Sequence, residues 1–240
     1  MHSEKHAATA RLAVRPEGGF AHERGMILSV RVGEAWEKWR FSRDGAEAEP
    51  AQPPKNSLFG LTSFLLGILP WRDLKPWARW TLVLLLTAIA LYGLTVSGPK
   101  QALGLVMGFL GAGVGMRFTL MPRWHALEHK VGHLLARLGD GPIPGREEVL
   151  KELRELPSLH PGCGVLFGSS VIALAALLTV FLPLTVALLL GVVLAEAAWR
   201  FGLDRIFLPI QHLFLAPPTE EMMERVAEEL PGLLKRAEKG

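Results

Sequence analysis

Residues 123–139 read RWHALEHKVGHLLARLG. His125, His129 and His133 follow one another at intervals of four. At about 100° per helical residue such positions drift by only about 40° per step, so the three imidazoles form one stripe of a helix. Glu128 lies on the flank of that stripe. Imidazoles on adjacent turns are spaced to reach one metal ion, and Zn²⁺ takes histidine nitrogen readily. The competing reading is a polar helix face whose histidines are simply solvated.

His125-x-x-Glu128-His129 is also the H-x-x-E-H pattern of inverted zincins, in which a carboxylate beside two histidine ligands takes a proton from the metal's water. Further along, His160-Pro161-Gly162-Cys163-Gly164 places a His and a Cys three residues apart in a Pro/Gly turn. Both residue types suit Zn²⁺, and both can face one ion from such a turn. Taken alone, the cysteine would read as a small apolar residue. Together, the helix and the turn supply a four-ligand set: His125, His129 and Cys163, with His160 or His133 as the fourth. Glu196 follows a long uncharged run. It either supports the same site or is neutralised by snorkelling or by Arg200 at i+4.

The elements that must position these residues are strongly apolar. Half of the 240 residues are hydrophobic, 20% are charged, and the mean hydropathy is +0.27. Intrinsic disorder is excluded by that composition, and a disulfide scaffold by the presence of one cysteine only. Residues 80–96, 101–116 and 165–195 carry no Asp, Glu, Lys or Arg. About 20 helical residues cross a bilayer core of about 30 Å. The expectation is therefore a mainly α, polytopic helical membrane protein with spans near 80–96, 101–120, 165–181 and 183–199. Buried core helices are the alternative, although these segments lack a polar stripe.

Lys and Arg are frequent before residue 80, between 117 and 154, and after 200. The link before residue 101 has only Lys100, and the turn Phe181–Pro183 has none. By the positive-inside rule both termini and the His/Cys segment are expected on the cytoplasmic side of a bacterial inner membrane. The pI of about 9.2 then reflects loops facing anionic lipid, and no nucleic-acid partner is expected. Residues 1–57 form an N-terminal region ending in a Pro-rich linker, and residues 26–41 fit either a strand pair or an amphipathic helix. No cleavable signal peptide is expected. Residues 58–79 read as an interfacial or re-entrant segment, 80–120 as one transmembrane hairpin, 121–164 as the metal-binding segment, 165–199 as a second hairpin and 200–240 as a tail. Gly104/Gly108 and Gly111/Gly115 make GxxxG pairs, which invite a homo-oligomer or a membrane-protein partner along 101–120.

ALEHKVGH, then LHPGCG ahead of two apolar runs, resembles the YqhQ-like bacterial membrane proteins, a family of unknown function described as a "predicted metal-dependent enzyme". The family reads approximately HGAEHKxxH and HPRCGT. His125, Glu128, His129, Lys130 and His133 match the first motif, and His160, Pro161, Cys163 and Gly164 the second. Gly18, Gly19, Ala21, Gly25 and Met26 resemble a degenerate GGQAVxEGVMM. Glu196 and the acidic segment 216–230 also have counterparts. Gly162 replaces the family's Arg and Val165 its Thr. Phe20 stands for Gln, and Arg24 occupies the Glu position. The resemblance implies a metal site and names no reaction.

These readings converge on a membrane metalloenzyme, most simply a zinc hydrolase with Glu128 as general base. The alternative is a non-catalytic scaffold or adaptor stapled by structural zinc. Metal transport is weaker, because the expected spans carry almost no ligands besides Glu196.

Overall fold

The computed structural model describes residues 14–52, 98–139, 141–160 and 163–239. Two compact units emerge. The first combines Met1–Pro53, Arg123–Ser158 and Pro217–Gly240, and the second Pro54–Pro122 and Leu159–Ala216.

The first unit opens with an antiparallel four-stranded meander: β1 (Val14–His22), β2 (Gly25–Val32), β3 (Ala35–Ser42) and β4 (Ala46–Ala51). Residues 26–41, which the sequence left open, are therefore strands. β2 alternates, burying Met26, Leu28, Val30 and Val32, as a half-buried strand should. Across the ladder Phe41 faces Met26 and Trp39 faces Leu28, all four buried. Gly33 has φ +57° in the two-residue β2–β3 turn, a conformation that favours glycine.

The same unit contains α1 of the His segment (Met121–Leu138), α2 (Arg146–Glu155) and α3 (Glu220–Lys239). α3 buries Met222, Met223, Val226, Ala227, Leu230, Leu233, Leu234 and Ala237, the stripe of an amphipathic helix. It packs on α2, which buries Val149, Leu150 and Leu153. Arg154 Nε donates to Glu220 at 2.9 Å across that contact.

The second unit contains α4 (Pro99–Met116), α5 (Gly164–Leu178), α6 (Leu184–Arg200), a 3-10 helix (Leu203–Ile210) and the single turn α7 (Gln211–Phe214). α5 and α6 form a hairpin around Phe167, Val171 and Ala195, with Phe167 and Trp199 rings 5.1 Å apart. Gly191 lets the two backbones meet: a Cβ there would lie 2.9 Å from the Val171 carbonyl oxygen. The Arg117 guanidinium donates to the carbonyls of His212, Leu213 and Leu215, capping the end of α7. Many large apolar side chains of this unit are exposed, including Leu103, Met107 and Val114 of α4 and Leu189 and Val193 of α6.

The polytopic, mainly α expectation does not hold. A four-stranded sheet stands in the N-terminal region, and among the described residues no single helix is long and apolar enough to cross a membrane. α4 has 18 residues, α5 15 and α6 17. At 1.5 Å per residue these reach about 27, 22 and 26 Å, short of a core of about 30 Å. The expected span 80–96 and the segment 58–70 lie outside the described residues. Among the described residues, a methyl group added to any of the GxxxG glycines Gly104, Gly108, Gly111 and Gly115 would meet nothing within 4 Å, whereas one on Gly113 would abut Leu213.

Gly191→Leu should wedge α5 from α6 and cost about 1–3 kcal/mol by overpacking. Urea unfolding followed by Trp fluorescence reads it, with Gly104→Leu, at an open position, as the neutral control.

Candidate metal centre

The His segment is helical as its spacing required. α1 buries Trp124, Ala126, Leu127, Val131, Leu134 and Leu135 on its apolar side. That burial fixes the rotation of the helix and so the direction of the His stripe. His125 is half-buried, while Glu128 and His129 are buried. The His125 and His129 ring centroids lie 4.4 Å apart.

Each ring is held through its Nδ1. His125 Nδ1 lies 2.9 Å from Glu128 Oε2. His129 Nδ1 lies 2.5 Å from the Ser158 carbonyl oxygen. A backbone carbonyl can only accept, so His129 Nδ1 carries the hydrogen and its lone pair resides on Nε2, and a carboxylate partner favours the same tautomer for His125. Carboxylate and backbone carbonyl are the usual outer partners of metal-ligating histidines, where they fix tautomer and ring direction.

The ligand atoms of His125, His129 and Cys163 all lie within 4.8 Å of one another, so these three residues could hold a metal ion. Two ligands of one tetrahedral Zn²⁺ stand roughly 3.5–4 Å apart. The N, N and S donors of this set suit a zinc-class metal.

The other expected ligands are placed differently. Neither His133, on α1, nor His160, which follows α2, belongs to this group. The backbone of His160 is pinned by Gln211, whose Nε2 donates to the His160 carbonyl at 2.7 Å and whose Oε1 accepts from the His160 N–H at 3.1 Å. The Cys163 N–H closes the turn onto the same carbonyl at 3.3 Å. Glu196 is exposed and paired with Arg200 Nε at 3.2 Å, the i+4 partner. It belongs to a surface ion pair and not to the metal group.

Three supporting residues escaped the motif reading. Ser158 acts through its main chain, which leaves no trace in residue type. Gln211 sits in the tail, fully buried, and its signal is only a polar residue in an apolar stretch. Lys130 matched a motif without an assigned role. It is buried, and its Nζ donates to the carbonyls of Leu153 at 2.8 Å and of Leu156. The ammonium thus caps the C-terminal end of α2, where the helix dipole favours a cation. It also ties α2, and the chain leading to Ser158, to the helix that bears the histidines.

Burial holds the Lys130 ammonium below the ordinary lysine value of 10.5. Between the lowered value and 10.5 the unfolded chain binds more protons than the folded one, so stability rises with pH across that window. Lys130→Met should lose about 1.5–3 kcal/mol at neutral pH, the scale of hydrogen bonds to a charged group. Urea unfolding from pH 7 to 10.5 should show the wild type gaining on Lys130→Met as pH rises. Equal stability at pH 7 would contradict the capping role.

No family model, curated protein or solved structure matches this chain.

Proposed function

We propose that the chain is a metal-dependent hydrolase that holds one zinc-class ion through His125, His129 and Cys163. The observation that carries this reading is the cluster of His125, His129 and Cys163, whose ligand atoms lie within 4.8 Å of one another, and the Nδ1 contacts to Glu128 and to the Ser158 carbonyl favour Nε2 as the ligand atom of each ring. A His₂Cys set is three protein ligands, the number that leaves a fourth position for substrate or water in catalytic zinc sites. The ion, when bound, would supply a Lewis acid that polarises a carbonyl and acidifies water.

The chain's own residues orient that chemistry. Glu128 keeps the proton on His125 Nδ1 and so points its Nε2 outward. The Ser158 carbonyl does the same for His129. The H-x-x-E-H pattern nominates Glu128 as general base, but its Oε2 faces His125 Nδ1, the nitrogen turned away from the ligand position, so its part here is to orient the ring. Glu128→Gln, whose amide oxygen still accepts from Nδ1–H, should retain metal, while Glu128→Ala should weaken metal binding by about 10–100-fold.

A structural ion is the second reading, favoured by the burial of His129 and Cys163. A closed shell admits no further ligand, and an open one does. We also propose lipid as the partner of the exposed apolar faces of the second unit, which exceed the scattered apolar residues expected of a free surface. Helices too short to span can still lie in a bilayer interface.

Elemental analysis of the purified chain tests the metal reading. The wild type should carry about one zinc-class ion, and His129→Ala and Cys163→Ser should each lose it while keeping the wild-type far-UV circular dichroism. A metal-free wild type, or full occupancy in both folded variants, would overturn it. In the Co²⁺-substituted chain, added azide should shift the visible d–d bands. An unchanged spectrum would favour the structural ion.

A further inference from the structure

Cross-strand partners share a sheet face. Gly19 of β1 pairs with Leu28 of β2, and Leu28 pairs with Trp39 of β3. Leu28 and Trp39 are buried. Gly19 therefore ends a row of large side chains on the packed face of the sheet, and it has no side chain to contribute.

The space is taken by Glu128. A Cβ on Gly19 would lie 2.4 Å from Glu128 Oε1, 2.7 Å from its Cδ and 2.9 Å from its Cγ. No real Cβ tolerates such distances. Gly19 is not among the glycines with positive φ, so backbone conformation does not require glycine here. The requirement is room for a carboxylate. Glu128 carries its other oxygen, Oε2, to His125 Nδ1 at 2.9 Å. The carboxylate is thus held between the β1 backbone on one side and the histidine on the other.

We propose that Gly19 is a positioning residue for the metal centre: the missing side chain seats Glu128 against β1, and the seated carboxylate sets the tautomer and direction of His125. The inference rests on the metal-binding reading above and adds the sheet to the site. It also gives a physical role to the N-terminal Gly-Gly segment, which is more than one hundred positions from the His helix in sequence yet packs against it within the same unit.

The clash in Gly19→Ala is with the far end of a flexible side chain and not with backbone. The variant should therefore fold and displace the carboxylate. Outer-shell partners of metal-bound histidines typically affect affinity by about 10–100-fold. Titration of the full-length purified chain with Co²⁺, followed by d–d absorption, should show a loss of that size for Gly19→Ala. The same substitution placed in Glu128→Ala should cost nothing further, because the group it displaces is gone. Wild-type affinity in Gly19→Ala, or an equal loss in both backgrounds, would overturn the proposal. If the wild type binds no Co²⁺, the metal reading fails and the positioning claim is read in the metal-free chain. There, ¹⁵N chemical shifts should report His125 as the Nδ1–H tautomer in the wild type and a shift toward Nε2–H in Gly19→Ala. An unchanged tautomer would overturn the proposal on its own.

Discussion

A metal-ligating imidazole almost always gives its other nitrogen to a hydrogen bond that fixes tautomer and direction, and this constraint organises the site. His125 and His129 are brought together by the pitch of a helix, but pitch alone leaves both rings free to rotate and to exchange tautomers. The Glu128 carboxylate and the Ser158 carbonyl remove that freedom. Each acceptor in turn needs support. Glu128 is confined by the β1 backbone at Gly19. Ser158 follows α2, whose end is tied to α1 by the Lys130 ammonium. A sheet, two helices and a buried cation thus converge on two nitrogen lone pairs. Buried polar groups are costly unless satisfied, and at Glu128, His129 and Lys130 the cost is met by contacts that also orient the ligands.

The cysteine turn follows the same logic by different means. His160 and Cys163 lie in no helix or strand, so no helix pitch fixes them. Gln211, fully buried, grips both the N–H and the carbonyl of His160, and the Cys163 N–H shares that carbonyl. One amide side chain therefore does for the turn what repeated hydrogen bonds do for a helix. Gln211→Ala would deprive two part-buried main-chain groups of that partner.

The ligand-bearing residues were legible because their chemistry is written in residue type and spacing: two imidazoles at i, i+4 and a thiol in a Pro/Gly turn. Their supports were not. A main-chain carbonyl such as that of Ser158 has no signature, and Gly19 acts by lacking atoms. The apolar runs misled for a physical reason. The break near Phe181–Pro183 was expected, but composition does not show how far each helix runs: α5 ends at Leu178 and α6 starts at Leu184, each too short to cross a bilayer core. The sheet was obscured because β4 reads AEAEPA, poor in strand-forming residues. It is a strand through pairing with β3, from Trp36 opposite Ala51 to Phe41 opposite Ala46, so tertiary context decides it. Glu196 looked expensive in an apolar run and is in fact neutralised at the surface by its i+4 arginine.

The central claim is that two imidazole nitrogens and one thiolate converge on a single ion. X-ray absorption at the zinc edge of the metal-loaded chain tests it most directly. Two nitrogen scatterers at about 2.0–2.1 Å are expected together with one sulfur at about 2.3 Å, the sulfur shell disappearing in Cys163→Ser. A first shell of nitrogen and oxygen alone in the wild type would contradict it.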